Sequence, residues 1–174
     1  GIKYLWQTAV KAEKPLIICF GIGTNIGGHE RGGCLGEYLE SRGNYSGVCA
    51  VAACGNEANA GHHYRSGLLR SGQDVEVELR TGSDDGFTIE LWGDAPNLYA
   101  IGIISPSGEY SGKTTAKLGE QHRIRFVLEK TVVDIDYLIT AYESGDECVR
   151  LRFSSVEPGL WKIRVFNDNR GDGF

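Results

Sequence analysis

The chain has 174 residues, of which 41% are hydrophobic and 24% charged, a balance that excludes a disordered or low-complexity protein. A net charge of −5, with no basic stripe, excludes a nucleic-acid surface, and no nucleic-acid partner is expected. No apolar run approaches the roughly 20 residues of a membrane helix, so no membrane partner is expected.

The five cysteines are Cys19, Cys34, Cys49, Cys54 and Cys148. Their odd number and scattered spacing give neither a disulfide framework nor a zinc pattern. Cys19, Cys49 and Cys54 lie in apolar runs and read as small buried residues, which favours a reducing compartment. No metal and no cofactor are expected.

Residues 1–13 carry apolar positions three and four apart and predict a helix, stopped by Lys14-Pro15. Leu16-Ile17-Ile18-Cys19-Phe20 is a continuous apolar run, the pattern of a parallel strand covered on both faces. A glycine-rich loop, Gly21 to Gly28, follows. A short helix from Gly33 to Ser41 would present Leu35, Tyr38 and Leu39. Val48 to Ala53 is a second buried strand. Strand, helix and strand make a βαβ unit, and one such unit cannot bury its own sheet, so this part reads as a slice of a larger α/β domain.

From Tyr64 onward the period becomes two. The expected strands are Tyr64–Arg70, Asp74–Leu79, Gly86–Trp92, Tyr99–Ser105, His122–Leu128, Asp134–Tyr142, Cys148–Ser154 and Trp161–Phe166. In the third from last, Asp134 and Asp136 read as surface positions. Val75, Val77 and Leu79 alternate with Glu76, Glu78 and Arg80, and Trp161, Ile163 and Val165 with Lys162 and Arg164. Each run thus has one apolar face and one wet face. Turn signals separate the runs at Ser83-Asp84-Asp85-Gly86, Asp94-Ala95-Pro96-Asn97, Ser105-Pro106-Ser107-Gly108 and Ser144-Gly145-Asp146. Strands this frequent suggest a β-sandwich of jelly-roll type. The expected organisation is an α/β fragment over 1–61 followed by an all-β sandwich over 62–174.

One stretch invites chemistry: Ala52-Ala53-Cys54-Gly55-Asn56-Glu57. A side-chain amide held at a strand end can stabilise the oxyanion of an acyl-transfer intermediate, because its dipole is aimed before charge develops. The plain alternative is a strand stopped by a Gly-Asn turn. His62-His63 has the composition of a metal pair, but adjacent residues of an extended segment face opposite ways, so a structural role is expected. His29 and His122 have no partner that sequence identifies. Asp168-Asn169-Arg170-Gly171-Asp172-Gly173 reads as a solvated turn, since Arg170 opposes a calcium loop. Trp92, Tyr99, Tyr110, Tyr137, Tyr142 and Trp161 suit a sugar-binding face or, by default, sandwich packing. The loop Gly21-Ile22-Gly23-Thr24-Asn25-Ile26-Gly27 also fits a dinucleotide-binding turn, a weak signal when it stands alone.

The strand end Phe20-Gly21-Ile22-Gly23, followed by a helix and by Ala53-Cys54-Gly55-Asn56, resembles the central part of the subtilisin-like serine proteases, the subtilases. Gly55-Asn56-Glu57-Ala58-Asn59-Ala60-Gly61-His62-His63-Tyr64 looks like the same region of the clostridial Csp-like group. So do Trp92-Gly93-Asp94-Ala95-Pro96-Asn97, Ile101-Gly102-Ile103-Ile104-Ser105-Pro106-Ser107-Gly108-Glu109 and Pro158-Gly159-Leu160-Trp161. The resemblance implies a jelly roll inserted in the protease core after the oxyanion asparagine. It makes Asn56 the oxyanion donor, with Gly21, Ile22 and Gly23 on one wall of a substrate cleft and Ala53, Cys54 and Gly55 on the other. Cys54 stands where the family has alanine, which narrows that wall and brings a thiol near substrate. The implied partner is a peptide or protein substrate of the parent enzyme, a serine endopeptidase. No Gly-Thr-Ser-x-Ala occurs, and no Asp-x-Gly precedes the first strand. The chain by itself is therefore expected to lack the triad and to be inactive. A non-catalytic binding or assembly module is the alternative, and self-association through an incomplete sheet is a further expectation.

Overall fold

The computed structural model describes residues 1–28, 34–57, 59–82, 84–117, 120–139 and 145–173. His29, Gly33, Ser83, Tyr142 and Ser144, each named in the sequence reading, lie outside the described residues. The chain divides into two compact units, Gly1–His63 and Tyr64–Phe174. The molecule is mostly β, with two antiparallel sheets in the second unit.

In the first unit, helix α1 spans Ile2–Lys11 and is followed by strand β1, Leu16–Phe20. Glu13 takes a left-handed φ of 54° between them, and Pro15, lacking an N–H, prevents continuation of the helix. Helix α2, Cys34–Gly43, leads to strand β2, Val48–Ala52. The two strands pair in parallel from Leu16 opposite Val48 to Phe20 opposite Ala52. Arg42 of α2 lies 4.7 Å from the centre of the Trp6 ring, 5.0 Å from Tyr38 and 6.0 Å from Tyr45. This cation within aromatic rings joins the two helices through α2 and the turn after it.

The expectation of strands covered on both faces is corrected here. Ile17 is 73% exposed and Val51 49%, and no described residue of this unit is fully buried. Ile17, Cys19, Cys49 and Val51 share one face of the β1–β2 pair, because alternate residues point the same way and Ile17 pairs with Cys49. That face is exposed. Cys19, Cys49 and Cys54, expected to be buried, are all exposed free cysteines.

Among the described residues, the second unit holds eight strands: β3 Asp74–Thr81, β4 Asp84–Gly93, β5 Ala100–Ile104, β6 Tyr110–Thr114, β7 Gln121–Arg125, β8 Val132–Leu138, β9 Glu147–Val156 and β10 Gly159–Phe166. One sheet has the order β3-β10-β5-β6 and the other β4-β9-β8-β7. The first and last strands of the unit are therefore neighbours, as are its second and seventh, while β5–β6 and β7–β8 pair as sequential neighbours. The two-residue link Glu157-Pro158 carries the chain from one sheet to the other.

Two strands differ from the sequence reading. Tyr64–Arg70 is not a strand: it makes one isolated bridge, Leu69 with Gly173. Its polar bonds go to the chain's far end instead, with Asn167 Nδ2 donating to the Leu69 carbonyl at 2.8 Å. Tyr110–Thr114 is a strand that the period missed, because Tyr-Ser-Gly-Lys-Thr has no apolar alternation. Its place at a sheet edge requires none. Opposite it, a Cβ on Gly102 would lie 2.7 Å from the Tyr110 ring, so a larger residue there would displace that ring.

The inner faces form one core containing Ile101, Ile103, Phe126, Val133, Ile135, Leu151, Phe153, Trp161 and Ile163. Trp161 is fully buried and joins the layers, with ring centroids 5.0 Å from Phe126 and 5.6 Å from Phe153. Its indole N–H donates to the Glu157 carbonyl at 3.2 Å, so no polar cost remains. The wet faces carry cross-strand ion pairs, Arg164 with Asp74 and Lys162 with Glu76, both at 2.7 Å, whereas the Arg150 pair with Glu90 at 2.8 Å is half-buried. The first two, at the surface, contribute at most about 1 kcal/mol each, so burial dominates stability and charge reinforces register.

Glu147 is a buried exception. It is 2% exposed, with Oε2 accepting the Tyr99 N–H at 2.7 Å and Oε1 without a partner. Burial pushes its carboxyl up to about 7.

Truncating Trp161→Ala should cost the second unit about 3–5 kcal/mol in urea unfolding, the range for a large aromatic removed from a packed core. Glu147 makes a second expectation. Its folded pKa is raised, so the folded state keeps a proton that the unfolded chain has already released. Stability from this group is full below about pH 4.5 and is lost as pH rises through about 7. Between pH 4.5 and pH 8 the loss should be about 3 kcal/mol, read as the difference between urea curves of wild type and Glu147→Gln.

Candidate functional site

The parallel register brings the two strand ends together. Beyond the last pair, the Ala53 N–H donates to the Phe20 carbonyl at 3.0 Å. The ladder thus reaches one residue past β2, into Ala53-Cys54-Gly55-Asn56. A Cβ built on Gly23 would lie 4.0 Å from the Gly55 Cα. Gly21, Ile22 and Gly23 therefore run alongside Ala53, Cys54 and Gly55, and all six are exposed. Gly55 has φ of +85°, a left-handed conformation that suits glycine and turns the chain sharply before Asn56. Asn56 is exposed at the end of this pair of loops.

Glu57 connects the loops. Its Oε2 accepts the Asn25 side-chain amide at 3.0 Å and lies 2.6 Å from His62 Nδ1. The His62 hydrogen bond, then that of Asn25, holds the Glu57 carboxyl below its usual range. The sequence reading treated Asn25, Glu57 and His62 separately and missed this group. Asn25 and Glu57 are 32 residues apart, and no local pattern couples them. The same carboxylate bears on the dinucleotide alternative. A negative charge beside the Gly21–Gly27 loop repels the pyrophosphate that such a loop would hold.

The other candidates are engaged elsewhere or are unsuited. Among the described residues, no group of three or more His, Cys, Asp or Glu is placed to hold a metal ion. The 168–173 turn serves as a closure, with Asp168 pairing with Lys113 and Asp172 Oδ1 accepting the Ser71 N–H at 3.0 Å. Asn169 donates to the Leu98 carbonyl at 2.8 Å and accepts the Leu98 N–H at 3.1 Å. Of the aromatics, Trp161, Tyr99 and Tyr137 are buried in packing, whereas Tyr110 is 45% exposed. An open groove of about 440 Å³ is lined by Glu120, Gln121, Asp136, Tyr137 and Leu138. Asp136 within it is already paired with Arg152 at 2.5 Å.

No protein-family model matches the chain, and no curated protein matches it. Among solved structures, the chain is similar to the CspB protease of Clostridium perfringens, with 19% identity and a TM-score of 0.83. The fold is that of a segment of this protease. The match covers 99% of this chain and 37% of the protease chain, so the present sequence spans just over a third of that protein. At this identity the likeness shows the fold.

The four cysteines with a described environment should separate by reactivity. Cys19, Cys49 and Cys54 should react with a disulfide reagent in the native protein. Cys148 is buried, and its thiol is pushed up to about 12 by burial, so it should react only after unfolding. Mass mapping after brief labelling checks this, and protection of Cys54 would contradict its exposure.

Proposed function

We propose that this chain is the substrate-cleft segment of a subtilisin-like serine endopeptidase and carries a jelly-roll insertion. The observation that carries the reading is the alignment of Gly21–Gly23 with Ala53–Gly55, ending at Asn56. Two exposed strand ends with little side-chain bulk form a slot in which an extended peptide can add its own backbone hydrogen bonds. Asn56, one residue beyond that slot, offers an amide N–H for the developing oxyanion. The likeness to a clostridial protease supports this reading. The nested pairs β3–β10 and β4–β9 support the jelly-roll assignment.

On this reading the catalytic labour is divided. With no Gly-Thr-Ser-x-Ala, this chain supplies walls and an oxyanion donor, while serine, histidine and aspartate come from the rest of the parent. Its domains are then a partial α/β core over 1–61 and the insertion over 62–174. The exposed face of Ile17, Cys19, Cys49 and Val51 supports a second feature, burial against further protein or a second copy of this chain.

In this chain, an extended apolar tetrapeptide should shift the amide signals of Gly21, Gly23, Ala53 and Gly55 in a nuclear magnetic resonance titration. Shifts confined to the sandwich would refute the slot. In a triad-bearing parent, Asn56→Ala should lower kcat by about 10²–10³ with little change in KM. An unchanged kcat would remove Asn56 from the oxyanion role.

A further inference from the structure

We propose that Glu57 is a positioning residue whose carboxylate closes both walls of the cleft and thereby sets the direction of Asn56. The inference rests on the cleft reading above and adds a residue to it.

The geometry is that of two loops, each anchored at both ends. The loop after β1 leaves the sheet at Phe20 and is caught again at Asn25, whose side-chain amide reaches Glu57 Oε2 at 3.0 Å. The segment after β2 is held at Ala53, by the 3.0 Å bond to the Phe20 carbonyl, and again at Glu57 itself. Only Cys54, Gly55 and Asn56 lie between those anchors. The φ of Gly55 is +85°, so the turn is made there, and the Glu57 anchor fixes the Asn56 backbone that follows. His62, 2.6 Å away through Nδ1, holds the same oxygen from the chain that continues past the cleft.

One acceptor atom thus collects three parts of the chain: the first wall, the second wall and the segment leading out of the unit. The partners are polar side chains about half exposed, with His62 at 56% and Glu57 at 47%. No described residue of this unit is fully buried, so hydrophobic packing is not available to fix these loops. Hydrogen bonds to a charged acceptor then carry the ordering, since they are the stronger kind. The lowered Glu57 carboxyl is consistent with an acceptor that stays ionised at neutral pH. A preformed wall matters because an oxyanion donor helps only if it is aimed in advance.

Both contacts use the same oxygen, which gives a sharp test on the free chain without peptide. Glu57→Gln keeps one carbonyl oxygen able to accept from Asn25 and His62, whereas Glu57→Ala keeps none. In wild type, a nuclear Overhauser contact should join the Asn25 side-chain amide to the His62 ring. Glu57→Ala should abolish it and shift the amides of Gly21, Gly23, Gly55 and Asn56, including the Asn56 side-chain pair. Glu57→Gln should restore those signals. Signals of α1, α2 and the β1–β2 ladder should not move in either variant. Absence of the contact in wild type would overturn the proposal, and so would Gly23 and Asn56 signals indifferent to Glu57→Ala. A Glu57→Ala variant that loses the ladder signals as well would make the residue a general stabiliser and overturn the positioning role. The peptide titration above is read separately, so failure of the cleft and failure of the clamp are distinguishable.

Discussion

The register of two short parallel strands governs the candidate site. Leu16 pairs with Val48 and Phe20 with Ala52, and the Ala53 N–H extends the ladder to the Phe20 carbonyl. A slip of one residue would turn every side chain to the other face and separate Gly23 from Gly55. The register is also what brings Asn25 within reach of Glu57. The close approach of Gly23 to Gly55 follows from that pairing.

The two units reach order by different physics. The sandwich encloses Trp161, Ile101, Ile103, Val133, Ile135 and Leu151 completely, and burial of that kind dominates folding free energy. Its polar atoms are mostly satisfied by neighbours in the fold, as where Asn167 and Asn169 stitch the end of the chain to Leu69 and Leu98. Among its described residues, the first unit has no comparable interior. It relies on a strand ladder, an arginine among aromatic rings, and hydrogen bonds to Glu57. Local order of this kind suits a surface that receives a ligand, because the backbone at the strand ends stays accessible.

Much of the fold was legible because periodicity reports which face of an element meets a core. Alternation in 74–79 and 161–166 marked β3 and β10, and the continuous apolar run at 16–20 marked β1. Periodicity failed where the environment departed from its assumption. Tyr110–Thr114 lies at an edge and needs no alternation, while Leu68 and Leu69 carry a strand-like composition yet Leu69 bonds to Asn167 and Gly173. Cys19 and Cys49 looked buried because their neighbours are apolar, but the face they share with Ile17 is open. At the site, Gly55-Asn56 was visible as a polar stop after a strand of small residues. The tie from Asn25 through Glu57 to His62 was not, because it joins distant positions with no shared pattern.

The sequence by itself determined most of the elements, the two helices, the parallel strands and the alternating strands among them, and the motif that ends in Asn56. These are consequences of local composition and period, which physics reads over a few residues. Only the tertiary structure decided which strands are neighbours, which faces are covered, and that one carboxylate meets both Asn25 and His62. Those depend on chain segments meeting across long separations, where the choice among partners is made by packing and hydrogen-bond satisfaction in three dimensions.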